Sequence, residues 1–240
     1  MNQAILHVND LHASFDRAQP VLRGVELELN AGEVLVVVGA SGCGKTTLLR
    51  SIAGIERPTQ GRIELAGHIL FDSKTFVEPE LRSVGMVFQG LALFPHLTVR
   101  ENISFGLRRM SRAERSQRVD DEMSSVGLEG LGDRHPHQLS GGQQQRVAIA
   151  RSLVTRPTLL LMDEPFSDMD AHTRARVREE VLRILRAHHM PAIIVTHDRE
   201  DAFHVADRIA EMADGRIQRS APASEFRASW RAHSIEPTPG

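Results

Sequence analysis

The segment Gly32–Gly54 reads GEVLVVVGASGCGKTTLLRSIAG, and its order of parts decides the fold. Glu33–Val38 is a continuous apolar run bounded by glycines, the pattern of a parallel strand buried on both faces. Gly39–Thr46 then fits G-x-x-x-x-G-K-[ST] without a mismatch. A helix is expected from Lys45 to about Ala53, with Leu48, Leu49 and Ile52 on one face and Gly54 with Pro58 ending it. Strand, glycine loop and helix in that order predict a phosphate cradle. Gly39, Gly42 and Gly44 free the backbone to turn its N–H groups toward phosphate oxygens, and the helix N-terminus adds partial positive charge. Lys45 is expected to reach the β- and γ-phosphates, and the Thr46 hydroxyl to ligate Mg²⁺. Ala40, Ser41, Cys43 and Thr47 complete the nucleotide-binding positions. A glycine-rich turn that binds nothing is the plainer reading; the flanking strand and helix weigh against it.

Cys43 sits inside this cradle. Lys45 and the helix terminus would favour its thiolate, which suggests a redox switch, but a small residue that fits the turn explains it more simply. Either way, alkylation of Cys43 is expected to block nucleotide sterically.

Thr158–Pro165, TLLLMDEP, ends a second buried strand on two acids. Carboxylates at the carboxyl end of such a strand lie beside the phosphate loop in this kind of sheet. Asp163 is suited to hold Mg²⁺, and Glu164 to polarise an attacking water as general base.

Composition bounds the rest. The 240 residues suffice for one large domain or a core with a subdomain, and 41% hydrophobic with 25% charged residues is ordinary for a globular protein. Lys and Arg number 29 against 31 Asp and Glu, a net charge of −2, which argues against nucleic acid as a partner. A single cysteine excludes an internal disulfide. The opening MNQAILHVND shows no signal-peptide pattern, and runs such as Val34–Val38 are too short to span a bilayer. Service to a membrane is therefore expected through a partner, from outside the lipid.

Along the chain, Ala4–Val8 and Val25–Leu29 read as strands around a turn at Gln19-Pro20, and Gly61–Leu70 as a hairpin turning at Gly67. From about 90 to 150 the texture becomes helical and charged, notably Arg108–Met123, as in an insertion. The α/β pattern then returns with an amphipathic helix at Arg174–His189, a buried strand at Ala192–Thr196 and a hairpin at Asp214-Gly215. From Ser220 the chain turns polar and is expected to be a tail. His135 with His137, and His188 with His189, invite a metal reading, but neither pair has further ligands at suitable spacing.

LSGGQQQR at Leu139–Arg146, followed by VAIARSL, resembles the signature motif of the ATP-binding-cassette ATPases, and the resemblance extends over nearly the whole chain. It implies an α/β P-loop NTPase. A RecA-like core with an antiparallel β subdomain would span 1–219, the helical signature subdomain would be inserted at about 90–150, and 220–240 would form a short tail. It implies a head-to-tail dimer in which Ser140, Gly141, Gly142 and Gln143 of one copy face the γ-phosphate held by the other. Gln89, in GMVFQ, matches the Q-loop glutamine, near Mg²⁺ and facing the membrane partner; His197 matches the switch histidine that orients Glu164; Phe15 takes the adenine-stacking position, where many members have tyrosine. Ser167–Asp170 matches the D-loop, with Asp168 departing from its usual pattern. The implied catalytic set is Glu164, His197, Gln89 and Lys45, and the implied metal set Thr46, Gln89 and Asp163, with ATP and Mg²⁺.

Gly85–Leu107 further resembles bacterial importers that work with a periplasmic binding protein, and Gly67–Gly85 leans toward the ferric-iron type over polyamine, sulfate or sugar types. The resemblance implies membrane permease subunits, an extracytoplasmic substrate-binding protein, a second ATPase subunit and a place on the cytoplasmic face of the inner membrane. Many members of this branch continue into a regulatory β-domain; this sequence stops at Gly240 and is expected to lack it. An exporter shares every catalytic motif and stays open. DNA-repair and ribosomal cassettes fit poorly, lacking here the coiled-coil insertion or the second cassette, and a P-loop kinase or GTPase has no use for LSGGQ.

Overall fold

A computed structural model describes residues 4–14, 19–107, 110–167 and 169–227. Two sheets carry the fold. The strands β1 (Ala4–Ser14), β2 (Pro20–Asn30), β4 (Gln60–Leu65) and β5 (His68–Phe71) form an antiparallel sheet in the order β2-β1-β4-β5. The strands β3 (Val34–Val38), β6 (Val84–Val87), β7 (Leu159–Asp163), β8 (Ala192–Thr196), β9 (Arg208–Ala213) and β10 (Arg216–Pro222) form a second sheet in the order β10-β9-β3-β8-β7-β6. It is parallel from β9 to β6, and only β10 pairs antiparallel.

The central strands are apolar throughout because both faces of their sheet are covered. Val34, Val36 and Val38 of β3, Leu160 and Met162 of β7, and Ala192 and Ile194 of β8 face one core cluster. This cluster includes side chains of the helices α2 (Val99–Ser104), α3 (Arg112–Ser125), α4 (Gly141–Leu153), α5 (Ala171–Ala187) and α6 (Arg199–Val205). Leu35, Val37, Leu159, Leu161, Ile193 and Val195 face the other cluster, shared with the antiparallel sheet and with α1 (Lys45–Ala53). Each such Val, Leu, Ile or Met side chain, fully buried, contributes roughly 1.5–3 kcal/mol. The parallel sheet is thus the middle layer, and its carboxyl edge, where β3, β7 and β8 end, is where the site assembles.

α1 spans the expected residues, and α4 starts at the signature motif. Ser140 caps α4 by accepting from Gln143 N, while the Gln143 side chain accepts from Ser140 N, a complete capping box. The long helix begins earlier than expected, at Ala171, because Asp170 accepts from the N–H groups of His172 and Thr173. The boundary expected at Ser220 also moves. β10 runs to Pro222, one helical turn follows at 223–227, and Phe226 is fully buried in the core, so the packed domain extends past the polar text. β6, read in the sequence only as the approach to Gln89, is a true strand at the sheet edge.

Candidate functional site

Four strand ends build the site: those of β3, β7 and β8, taken in turn below, and that of β6, two residues before Gln89. After β3 the chain makes the glycine loop and enters α1 at Gly44, whose φ of +111° is a left-handed cap that a side chain would strain. Lys45 is buried, and its ammonium donates to the carbonyl oxygens of Gly39 at 2.7 Å and Ala40 at 3.1 Å, so it lies folded over the loop it would serve. The β9–β10 turn buttresses the same loop: Gly215 N donates to Cys43 O at 3.1 Å. Nothing local in the sequence of that turn ties it to the loop, about 170 residues earlier in the chain.

After β7 come the two acids. Asp163 is almost wholly buried and accepts from the Thr46 hydroxyl at 3.0 Å. Desolvation raises its pKa above the usual carboxylate value, opposed by the Thr46 hydrogen bond and by Arg50. Glu164 follows in a left-handed backbone conformation, φ +47°, held by its N–H on Val195 O at 3.0 Å. Such strain in a residue other than glycine is tolerated where the surroundings over-determine it, often at functional sites.

After β8, His197 Nδ1 lies 2.9 Å from Glu164 Oε2. With Nδ1 protonated, the imidazole would donate to this carboxylate oxygen. The Glu164 side chain is 13% exposed and that of His197 56%, so the pair stands at a mouth open to solvent.

Val21, Ser41, Gly42, Gly44, Lys45, Thr46, Thr47, Gln89, Glu164 and His197 line one cleft of about 400 Å³. A neighbouring cleft of about 560 Å³ runs from Ala40–Cys43 to Gln19–Val21 and Met212–Gly215. The structure therefore brings Lys45, Thr46, Gln89, Glu164 and His197 together, with Asp163 bonded to Thr46 beneath them. Ser140, Gly142 and Gln143 do not line this cleft; Gly141 lines a separate cavity of about 250 Å³ that also touches Glu164. Phe15 and Asp168 lie outside the described residues.

The donor set suits Mg²⁺: a hydroxyl and a carboxylate are hard oxygen ligands, and the buried Asp163 charge calls for a compensating cation. Among the described residues, no group of three or more His, Cys, Asp or Glu side chains gathers as a metal site on its own, and no helix is long and apolar enough to cross a membrane.

Known proteins resemble this chain closely. The Fe(3+) ions import ATP-binding protein FbpC of Haemophilus influenzae is 45% identical over 239 residues, covering 98% of this chain and 67% of that protein. The spermidine/putrescine import ATP-binding protein PotA of Oleidesulfovibrio alaskensis is 46% identical over 207 residues, covering 85% of this chain and 54% of that protein. The chain thus spans between about half and two thirds of the length of these relatives. Among solved structures, cbiO1 from Clostridium perfringens, part of the transporter complex cbiONQ, superposes with a TM-score of 0.86 at 30% identity, covering 97% of this chain and 93% of its own. A dimer of the ATP-binding cassette MJ0796 bound to ADP and Pi matches with a TM-score of 0.76 at 30% identity, covering 91% of this chain and 99% of its own. The ABC transporter family model matches residues 22–167, and with these relatives it shows that the chain belongs to the ABC transporter family, among its ATP-binding proteins.

Proposed function

We propose that this chain is the ATP-hydrolysing subunit of a bacterial importer, with ferric iron as its cargo. The observation that carries the ATPase reading is the convergence of Lys45, Thr46, Gln89, Glu164 and His197 on one cleft at the start of α1. The backbone N–H groups at the start of α1 receive the phosphates. Lys45 exchanges two carbonyl partners for phosphate oxygens, a stronger charge-assisted pairing. Thr46, Asp163 and Gln89 would hold Mg²⁺, which when bound offsets charge on the phosphates. Glu164 takes a proton from the attacking water, and His197 fixes the carboxylate that does so. A positioned general base contributes typically 10²–10⁴-fold.

The signature segment supplies the other wall. Ser140 is occupied in capping α4, so the N-terminus of that helix is ordered and its free N–H groups suit an anion. Because Ser140, Gly142 and Gln143 do not line the cleft of their own chain, a second copy placed head to tail would complete each site. Closure of this homodimer on ATP would drive permease subunits that receive cargo from an extracytoplasmic binding protein, with the chain peripheral at the cytoplasmic face of the inner membrane. Phe15 stacks on adenine in this reading.

Iron rests on the resemblance of Gly67–Gly85 and on the identity with an Fe(3+) import protein across nearly the whole chain. The test is uptake of radiolabelled ferric iron in cells lacking the gene, complemented with wild type or with Lys45→Ala. Uptake restored by wild type alone is expected. Equal uptake in both removes iron and turns the search to polyamines, sulfate, thiamine and sugars.

A further inference from the structure

Arg174 lies in the first turn of α5, and its guanidinium grips two loops at once. One Nη donates to Asp198 Oδ2 at 2.9 Å, and the other donates to the carbonyl oxygen of Met169 at 3.1 Å. Met169 belongs to the loop that leaves β7 at Glu164, and Asp198 follows His197 at the end of β8. Glu164 and His197 themselves meet at 2.9 Å. The contacts close a ring: Glu164 to His197 by side chains, His197 to Asp198 by one peptide bond, Asp198 to Met169 through Arg174, and Met169 back to Glu164 along the loop.

This ring has work to do because packing alone does not hold the histidine. More than half of the His197 side chain is exposed, so its placement depends on its backbone. Asp198 Oδ1 accepts from Glu200 N at 2.8 Å and Asp201 N at 3.3 Å, which fixes this residue to α6. The other oxygen, Oδ2, meets Arg174, which fixes the same residue to the loop that carries Glu164. The Arg174 and Asp198 side chains are 27% and 28% exposed, so their pairing is partly shielded from solvent. A planar fork serves two diverging acceptors, which an ammonium on a flexible stem does less well. One turn on, Arg178 pairs with the buried Asp201 at 2.9 Å and anchors α6 to α5, leaving Arg174 as the link to the loop carbonyl.

We infer that Arg174 is a positioning residue for hydrolysis, holding Glu164 and His197 in contact by tying their two loops together. The inference rests on the ATPase reading of the cleft and deepens it.

The test is phosphate release by the full chain against ATP concentration, with nucleotide affinity from titration of a fluorescent ATP analogue and a thermal melt of each variant. Arg174→Ala is expected to lower kcat by about 10- to 100-fold, the scale of a small misplacement of catalytic groups, while KM and nucleotide affinity change less than about twofold. Arg174→Lys should recover part of kcat, since one of the two contacts can re-form. Asp198→Asn keeps an oxygen to cap α6 but loses the charge that Arg174 pairs with, so it should fall as Arg174→Ala does. The double variant should fall no further than either single one. A folded Arg174→Ala with wild-type kcat overturns the inference, as does a loss that appears in KM alone or losses that add in the double variant. If Arg174→Ala does not fold, Arg174→Lys and Asp198→Asn decide by the same reading, and wild-type kcat in both overturns it. Failure of the ATPase reading itself looks different: wild type and Lys45→Ala would then release phosphate at the same rate.

Discussion

The hydroxyl of Thr46 donates to Asp163 Oδ1 at 3.0 Å, joining the first turn of α1 to the end of β7 across 117 residues of sequence. The bond holds a carboxylate where burial disfavours its charge, and desolvation raises its pKa. The folded state therefore keeps this proton at pH values where the unfolded state, near 3.8, has lost it. The destabilising effect is absent below the unfolded value and grows as pH rises toward the folded one. Asp163→Asn is thus expected to melt higher than wild type in EDTA at pH 7, by about 2–4 °C per kcal/mol gained, and the gap should close toward pH 4. With MgATP the order should reverse, because only the carboxylate gains a cation. A lower melting temperature for Asp163→Asn in EDTA would contradict this account.

Lys45→Ala removes the cation from the cradle and frees the Gly39 and Ala40 carbonyls. Losing a charge-assisted contact of about 1.5–3 kcal/mol should weaken ATP binding by roughly 10- to 150-fold. Fluorescent-nucleotide titration and phosphate release check this, and an unchanged rate would discredit the cradle.

Glu164→Gln keeps the shape of the side chain and its reach to His197, but removes the carboxylate proposed as the base. Turnover should fall by about 10²–10⁴-fold with nucleotide affinity retained. A dimer should accumulate in MgATP, readable by light scattering of the full chain. Retained turnover would remove Glu164 from the role of base.

Arg82→Met tests a buried support of the site. The Arg82 guanidinium, almost inaccessible, donates to the carbonyl oxygens of Ser51 and Ile52 at 2.8 Å, near the C-terminal end of α1, and to Val77 O at 2.7 Å. It also stacks over Phe76 at 5.0 Å. Removing these donors strips the guanidinium from the Ile52 and Val77 carbonyls, while Ser51 O keeps the Gly54 N–H at 3.2 Å, and should cost about 2–4 kcal/mol of stability, measured by denaturant unfolding. Wild-type stability would rule out this capping role.

The local text of this protein was readable because its signals are carried by near neighbours. The apolar run Val34–Val38, the glycine loop and the Leu48, Leu49, Ile52 stripe specify strand, turn and helix within a few residues of each other. Ser140 and Gln143 cap α4 from within one turn. Where the local signal is weak, the reading falls short. β6 is four residues with a glycine inside, and it is a strand only because β7 lies beside it. β1 and β2 extend well past the expected segments, since their added residues are half polar and pair through register shifts.

What the sequence by itself determined is the class of the fold and where the glycine loop, the paired acids, the signature segment and His197 stand along the chain. Only the tertiary structure decided that Thr46 bonds Asp163, that His197 meets Glu164, that Arg174 ties their loops, and that Ser140, Gly142 and Gln143 stand apart from the cleft. The reason is physical. Periodicity and backbone conformation are set over a turn or a strand, whereas these side-chain meetings depend on the order β3-β8-β7, which exists only once both faces of the parallel sheet are buried.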